Sequence, residues 1–305
     1  MTTTSETATV SVGTPGRRRG SLGPVGLVLA GGISVQFGGA LAVTLMPRAG
    51  ALGVVALRLA VAAVVLLVVC RPRLRGHSRT DWGTVVVFGV ILAAMNGLFY
   101  QSVARIPLGL AVTLEVLGPL ALSVVASRRA VNLLWAGLAL AGVFLLGGGE
   151  GFGHLDPVGV AFALSAGAMW AAYIVFSART GRRFPQADGL ALAMAVGALL
   201  FLPLGVAESG MKLLDPVTLG LGASVALLSS VLPYTLELLA LRRLPASTFA
   251  ILMSLEPAIA STTGFLVLGQ TLSLVEAAAI ALVIGASMGA VRSHVRRGKP
   301  PVPEA

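Results

Sequence analysis

A chain of 305 residues is long enough for two soluble domains, but 56% hydrophobic and only 11% charged residues, with a mean hydropathy of +0.92, exclude soluble enzymes, disordered chains and small secreted disulfide scaffolds. The fold class that remains is an all-α polytopic membrane protein. Its formal net charge of +10 raises a nucleic-acid partner as a question, which the placement of the charges answers below.

The first segment, Met1–Ser21, is Thr/Ser-rich, ends in Arg17-Arg18-Arg19 and reads as a disordered cytoplasmic N-terminus. Ten apolar segments follow, each about the length that crosses a ~30 Å hydrocarbon layer at 1.5 Å per residue. They are Leu22–Leu45, Leu52–Val69, Trp82–Val103, Pro107–Val125, Val131–Leu146, Pro157–Ser177, Leu190–Val206, Thr218–Leu241, Pro245–Leu268 and Leu274–Val291. Residues 292–305 read as a basic cytoplasmic tail. A signal peptide is the alternative reading of the start, with Ala40-Leu41-Ala42 as a cleavage site, but the first apolar run exceeds the ~7–15 residues of such a segment. Cys70 is the single cysteine, and His77, His154 and His294 lie outside the apolar runs, so no disulfide, metal site or other cofactor is expected.

Lys and Arg near span ends stay on the cytoplasmic side. With the N-terminus inside, 18 of the 22 basic residues fall on the inner side and three (Arg48, Arg105, Lys212) outside, leaving Arg58 within the second span. That imbalance predicts N-in, C-in topology. Basic residues scattered over six short segments of one face form no nucleic-acid groove; the lipid bilayer is the expected surroundings.

The chain also contains a repeat. Ala104-Arg105-Ile106-Pro107 enters the fourth segment and Arg242-Arg243-Leu244-Pro245 the ninth, and twelve residues after each of those prolines stands another, Pro119 or Pro257. Ala141-Gly142-Val143 and Ile284-Gly285-Ala286 correspond further on. Two halves, 22–147 and 157–291, are therefore expected, and because each has an odd number of spans the second must be inverted. The bland alternative is likeness by apolar composition alone.

Within these segments stand groups that hydrocarbon disfavours. Glu115 and Glu256 lie in the fourth and ninth, and a charged side chain at a span centre costs ~2.5–3.5 kcal/mol on insertion scales, so each is expected to face a cavity or a partner as a proton-coupling candidate. Pro119 and Pro257 are expected helix breaks, freeing the carbonyls of Glu115 and Met253 for a substrate. Gln36, Asn96, Tyr100, Gln101, Trp170, Tyr173, Tyr234 and Glu237 are candidates for a hydrophilic pocket. Trp82 and Trp135, near span ends, read as interfacial anchors. Arg58 either snorkels, neutralises a carboxyl or meets a substrate carboxylate; the sequence leaves these open. Ser34, Gly38 and Ala42, at four-residue steps, read as a face for close helix packing. No Walker, G-x-S-x-G or H-E-x-x-H motif is present, which leaves ATP-driven transport and hydrolysis without residues to carry them.

Phe99-Tyr100, Arg105-Ile106-Pro107-Leu108-Gly109, Leu114-Glu115, Gly118-Pro119-Leu120-Ala121 and Ser127-Arg128-Arg129 resemble the EamA-type members of the drug/metabolite transporter superfamily, most of all their threonine/homoserine exporter subgroup. Leu232-Pro233-Tyr234, Leu236-Glu237, Arg243-Leu244-Pro245, Leu252-Met253-Ser254, Glu256-Pro257-Ala258 and Leu268-Gly269 continue the likeness, which runs from about Leu22 to Val291. The resemblance implies two five-helix EamA repeats and export of threonine, homoserine or similar small amino acids across the inner membrane in exchange for protons. Gln270 departs from it, standing where that subgroup commonly has Glu after Leu-Gly. A broader drug or metabolite exporter is the alternative within the superfamily; a lipid-modifying membrane enzyme or scramblase is the alternative outside it, and no nucleophile or metal set accompanies the carboxyls to support it.

Overall fold

The computed structural model describes residues 22–127, 130–148, 156–185, 187–241, 249 and 252–295. The expectations for Met1–Ser21, for the Arg128-Arg129 and Arg242–Pro245 motifs and for most of the basic tail fall outside these residues.

Every element among the described residues is helical. The first, α1, runs from Leu22 to Cys70 without a loop, where the hydropathy pattern predicts two segments and a connection. At 1.5 Å per residue it would extend about 74 Å, more than twice the hydrocarbon thickness. Gly50 breaks it (φ 59°, ψ 172°), a conformation that a β-carbon would strain, and Pro47 has already removed one hydrogen-bond donor from the preceding turn. Helix α2 (Arg79–Val103) starts at a capping box: the Asp81 N–H donates to the Ser78 hydroxyl (3.2 Å) and the Ser78 N–H donates to the Asp81 carboxylate (2.9 Å).

The fourth predicted segment is two helices, α3 (Leu108–Glu115) and α4 (Leu117–Ser127), interrupted at Val116. Next come α5 (Ala130–Gly148) and α6 (Pro157–Gly181), the latter capped by Asp156 with Pro157 at its first position, where a missing N–H costs nothing. Helix α7 (Asp188–Ser209) is followed by a short 3-10 turn, Gly210–Leu214. The eighth predicted segment is α8 (Pro216–Ala226), a π-helical turn at Leu227–Val231, and α9 (Leu232–Leu241). Helix α10 (Glu256–Leu268) ends on a left-handed Gly269, and α11 (Leu274–Val295) extends beyond the predicted Val291.

By length and composition, five helical stretches among the described residues can cross a membrane: Gly23–Cys70, Arg79–Val103, Pro157–Gly181, Asp188–Leu214 and Pro216–Glu237. Leu108–Leu122 and Leu274–Ala290 are shorter apolar helices.

Small residues set the packing. Helix α1 lies against α7, α8, α9 and α10, α2 against α6 and α7, α3 against α10 and α6, and α5 against α11. Ala40, Ala42, Ala49, Ala56 and Ala62 on α1 are fully buried, which lets backbones approach closely where no hydrophobic effect drives helices together. The closest approach is between α6 and the α3–α4 interruption: a β-carbon on Gly118 would collide with the Gly167 backbone, and one on Gly167 with the carbonyl of Glu115. Trp135 is not the free interfacial anchor its position predicts. Its ring lies against Gly289 of α11, and its indole N–H is buried without a partner among the described residues.

Candidate functional site

The interruptions in α3–α4, in α8–α9 and at the start of α10 surround one space. It is a cavity of about 170 Å³ whose lining includes Gln36, Arg58, Asn96, Tyr100, Glu115, Trp170, Tyr173, Ser229, Glu237 and Glu256. Val35, Gly39, Met95, Phe99, Val112, Pro233 and Met253 complete its wall. Thus both proton-coupling candidates and all of the predicted pocket residues but Tyr234 and Gln101 converge here. The backbone of Tyr234 belongs to α9 and its side chain lies outside the described residues. Gln101 does not join them, because near the far end of α2 it accepts a hydrogen bond from Arg105 (2.7 Å).

Arg58 enters the cavity wall from the second half of α1 and does not snorkel outward. Its Nη2 donates to the carbonyl of Ser229 (3.1 Å), its Nε to the Ser230 hydroxyl (3.3 Å) and its Nη1 to the Tyr100 hydroxyl (3.1 Å). The guanidinium also lies 5.5 Å from the centre of the Tyr100 ring, which is fully buried and meets Phe99 edge-on. The π-helical turn explains the acceptors. Widening the helix at Leu227–Val231 takes carbonyls out of the regular ladder, and two are taken up from α1: Ser229 by Arg58 and Leu228 by the Ser34 hydroxyl (2.7 Å). Gly38 makes room for this turn, since a β-carbon there would meet the Ser229 side chain. The residues read as a packing face, Ser34 and Gly38, thus hold the site together. Ser229 and Ser230 went unnoticed in the sequence, although a polar pair inside an apolar run, together with an arginine elsewhere that needs acceptors, is a readable signal.

The carboxyls arrive differently. Glu115 is the last residue of α3 and Glu256 the first of α10, so each sits where the helical ladder is interrupted. Pro257 falls in the first turn of α10, a position where proline is tolerated, after a turn at Ser254-Leu255. The expectation that Pro119 would free the Glu115 carbonyl for a substrate is corrected: that oxygen faces the backbone of Gly167. Glu237 comes from α9, one turn beyond Pro233. Among the described residues none of the three carboxylates has an ion-pair partner, although Arg58 lines the same cavity. Asn96 donates to the Leu92 carbonyl (2.8 Å) within its own helix, and Phe88 packs on Tyr173 with ring centres 5.4 Å apart. No group of three His, Cys, Asp or Glu among the described residues is arranged to hold a metal.

Gln270, the departure from the expected carboxylate, has a definite task outside the cavity. Its side-chain oxygen accepts from the Leu108 N–H (3.0 Å) and so caps α3, whose own N-cap residue, Pro107, has no side-chain acceptor.

Comparison with known proteins identifies the family. The model of the EamA-like transporter family matches residues 157–292. The threonine/homoserine exporter RhtA of Escherichia coli (strain K12) is 42% identical over 277 residues, covering 90% of this chain and 94% of its own. The protein of the same name from Salmonella typhimurium (strain LT2) is 42% identical over 267 residues, covering 87% and 90%. A solved crystal structure shares the fold with a TM-score of 0.57 at 19% identity, over 89% of this chain and 99% of its own. On these matches the chain belongs to the EamA-like transporter family.

Proposed function

We propose that this protein is a secondary active exporter of small amino acids of the threonine/homoserine kind, moving them outward across the inner membrane by alternating access in exchange for protons. The observation that carries the reading is the central cavity. It brings three carboxyls and an arginine from both halves together among apolar helices, and its 170 Å³ is below the ~300–1,000 Å³ typical of drug-sized ligands. A small polar solute suits that space better than a lipophilic drug does. The relatives named as threonine/homoserine exporters support the same substrate class.

Ten spans in two inverted five-helix repeats, 22–147 and 157–291, fit the packing. The second half of α1 lies on α7, α3 on α10, and α5 on α11, and each pair joins segments of equal rank in the two halves, as helices around a pseudo-two-fold axis in the membrane plane do. The break at Gly50 divides α1 into the first two spans. The 18-to-3 distribution of basic residues supports N-in and C-in. Glu115 and Glu256 are the candidates for the proton step, since an intramembrane carboxyl without a fixed cation can take up and release a proton as access alternates.

The test is uptake of labelled threonine and homoserine by inverted vesicles with an acid interior, repeated after the gradient is collapsed. Uptake that needs the gradient, and that fails in Glu115→Gln or Glu256→Gln protein, is the expected result. Uptake indifferent to the gradient in wild type would remove proton exchange; no uptake of either amino acid by folded protein would remove the substrate class.

A further inference from the structure

Arg58 has a role that export of small amino acids does not by itself assign. A guanidinium has five N–H donors. Three of them are used, and all three meet neutral acceptors: the Ser230 hydroxyl, the Tyr100 hydroxyl and the Ser229 carbonyl. These bonds fix the plane of the fork and leave one proton on each Nη. They do not neutralise the charge. Among the described residues no carboxylate is within ion-pair distance of Arg58, although Glu115, Glu237 and Glu256 line the same cavity. Arg58 thus shares the cavity with the three carboxyls without closing on any of them.

We propose that Arg58 is the carboxylate receptor of the cavity: its two remaining Nη protons are donated to the two oxygens of the substrate's carboxylate, which directs the substrate's ammonium group toward the three glutamates. The assignment rests on the amino-acid reading above and adds the polarity with which the substrate lies. Planar, parallel donation to two oxygens is the geometry in which arginine outperforms lysine. The π-helical turn supplies the preorganisation, because it offers the Ser229 carbonyl and is itself anchored by Ser34 and accommodated at Gly38. A doubly charged anion such as a phosphate would satisfy the fork but meet three carboxyls in a small cavity. A zwitterion satisfies both signs at once.

The experiment is calorimetric titration of the full chain in lipid nanodiscs with threonine, with threoninamide (carboxylate replaced) and with 3-hydroxybutyrate (ammonium removed), on wild type, Arg58→Gln and Arg58→Lys. Threonine is expected to bind at least tenfold more tightly than threoninamide. Arg58→Gln is expected to weaken threonine by ~10–100-fold and to erase that preference, with Arg58→Lys between the two. The comparison of ligands on wild type needs no variant to fold, and melting curves identify a variant that has merely unfolded. Equal binding of threonine and threoninamide, or a preference intact in Arg58→Gln, overturns the assignment and leaves amino-acid export standing. Arg58-dependent binding of 3-hydroxybutyrate without threonine binding keeps the carboxylate receptor and removes the amino-acid reading. Wild type that binds none of the three overturns both.

Discussion

Charged groups at the helix ends and charged groups at the centre of this protein are treated in opposite ways. At the ends they are matched: Arg183 pairs with Asp81 at 2.7 Å, Arg105 reaches Asp156 at 3.5 Å, Asp81 closes a capping box with Ser78, and Asp215 accepts from Thr218. At the centre, Glu115, Glu237 and Glu256 surround a cavity with Arg58 and close no ion pair among the described residues. The end groups would be well solvated even without partners, and their pairing fixes loops at little energetic consequence. The central groups are where a missing partner is most costly, so leaving them open is a sign that a mobile species completes them.

The largest expected effect tests the central side of this contrast. The double variant Glu115→Gln, Glu256→Gln should lose the acid-interior stimulation of threonine uptake altogether, whereas Asp81→Asn should leave it unchanged. Flux assays on both in the same vesicle preparation decide the matter, and stimulation surviving in the double variant would make the central carboxyls scaffolding. Next comes the backbone that carries Glu115. Gly167→Ala drives a methyl group into the Glu115 carbonyl, which has little freedom to retreat, and should cost about 1–3 kcal/mol of stability. At Gly285 a β-carbon meets nothing within 4 Å, so Gly285→Ala should be neutral or gain ~0.5–1 kcal/mol from helix propensity. Denaturation of both variants in matched detergent gives the comparison; equal melting would mean that the contact of α6 with the end of α3 is not tight.

The contrast was legible in part. Hydropathy located nearly every helix, because spanning length and apolar composition are local properties, and the intramembrane Glu, Asn, Gln and Tyr pointed to the cavity because hydrocarbon makes polar side chains conspicuous. Backbone geometry was less accessible. A loop was expected between Leu45 and Leu52, yet helix continues on both sides of a single glycine, since Gly50 turns the chain through one pair of dihedral angles. The π-helical turn has no sequence signature in Leu227–Val231; it is favoured by tertiary acceptance of its carbonyls by Ser34 and Arg58, which lie far away in the chain. Pro119 was read for the carbonyl it frees, but which neighbour that carbonyl meets depends on the approach of Gly167 from another helix.

Gln270 stands between the two classes, partly buried and serving a helix end. Gln270→Ala leaves the Leu108 N–H without its acceptor and should cost about 1 kcal/mol. Gln270→Glu keeps an acceptor and adds negative charge beside the N-terminus of α3, which should recover the loss and add ~0.3–1 kcal/mol. Melting temperatures in the order Glu, Gln, Ala would support the cap, and an alanine variant as stable as wild type would dismiss it.

The smallest effect belongs to Asp215, an exposed cap, and its sign follows from its partners. The Thr218 N–H, foremost, holds the carboxyl below its ordinary value of 3.8 against a weaker opposing desolvation; the Thr218 hydroxyl, the Val217 N–H and the charge of Arg48 act in the same direction. A carboxyl lowered on folding stabilises the protein above its unfolded pKa, and that contribution disappears as pH falls through the folded value. The melting difference between wild type and Asp215→Ala should therefore be constant from neutral pH down to about 5 and shrink below 3.8. Asparagine caps a helix without titrating, so Asp215→Asn should melt close to wild type at neutral pH and overtake it in acid. A wild-type advantage over alanine that is the same at pH 7 and pH 3 would show that charge contributes nothing to this cap, and that the matched charges at the helix ends serve geometry alone.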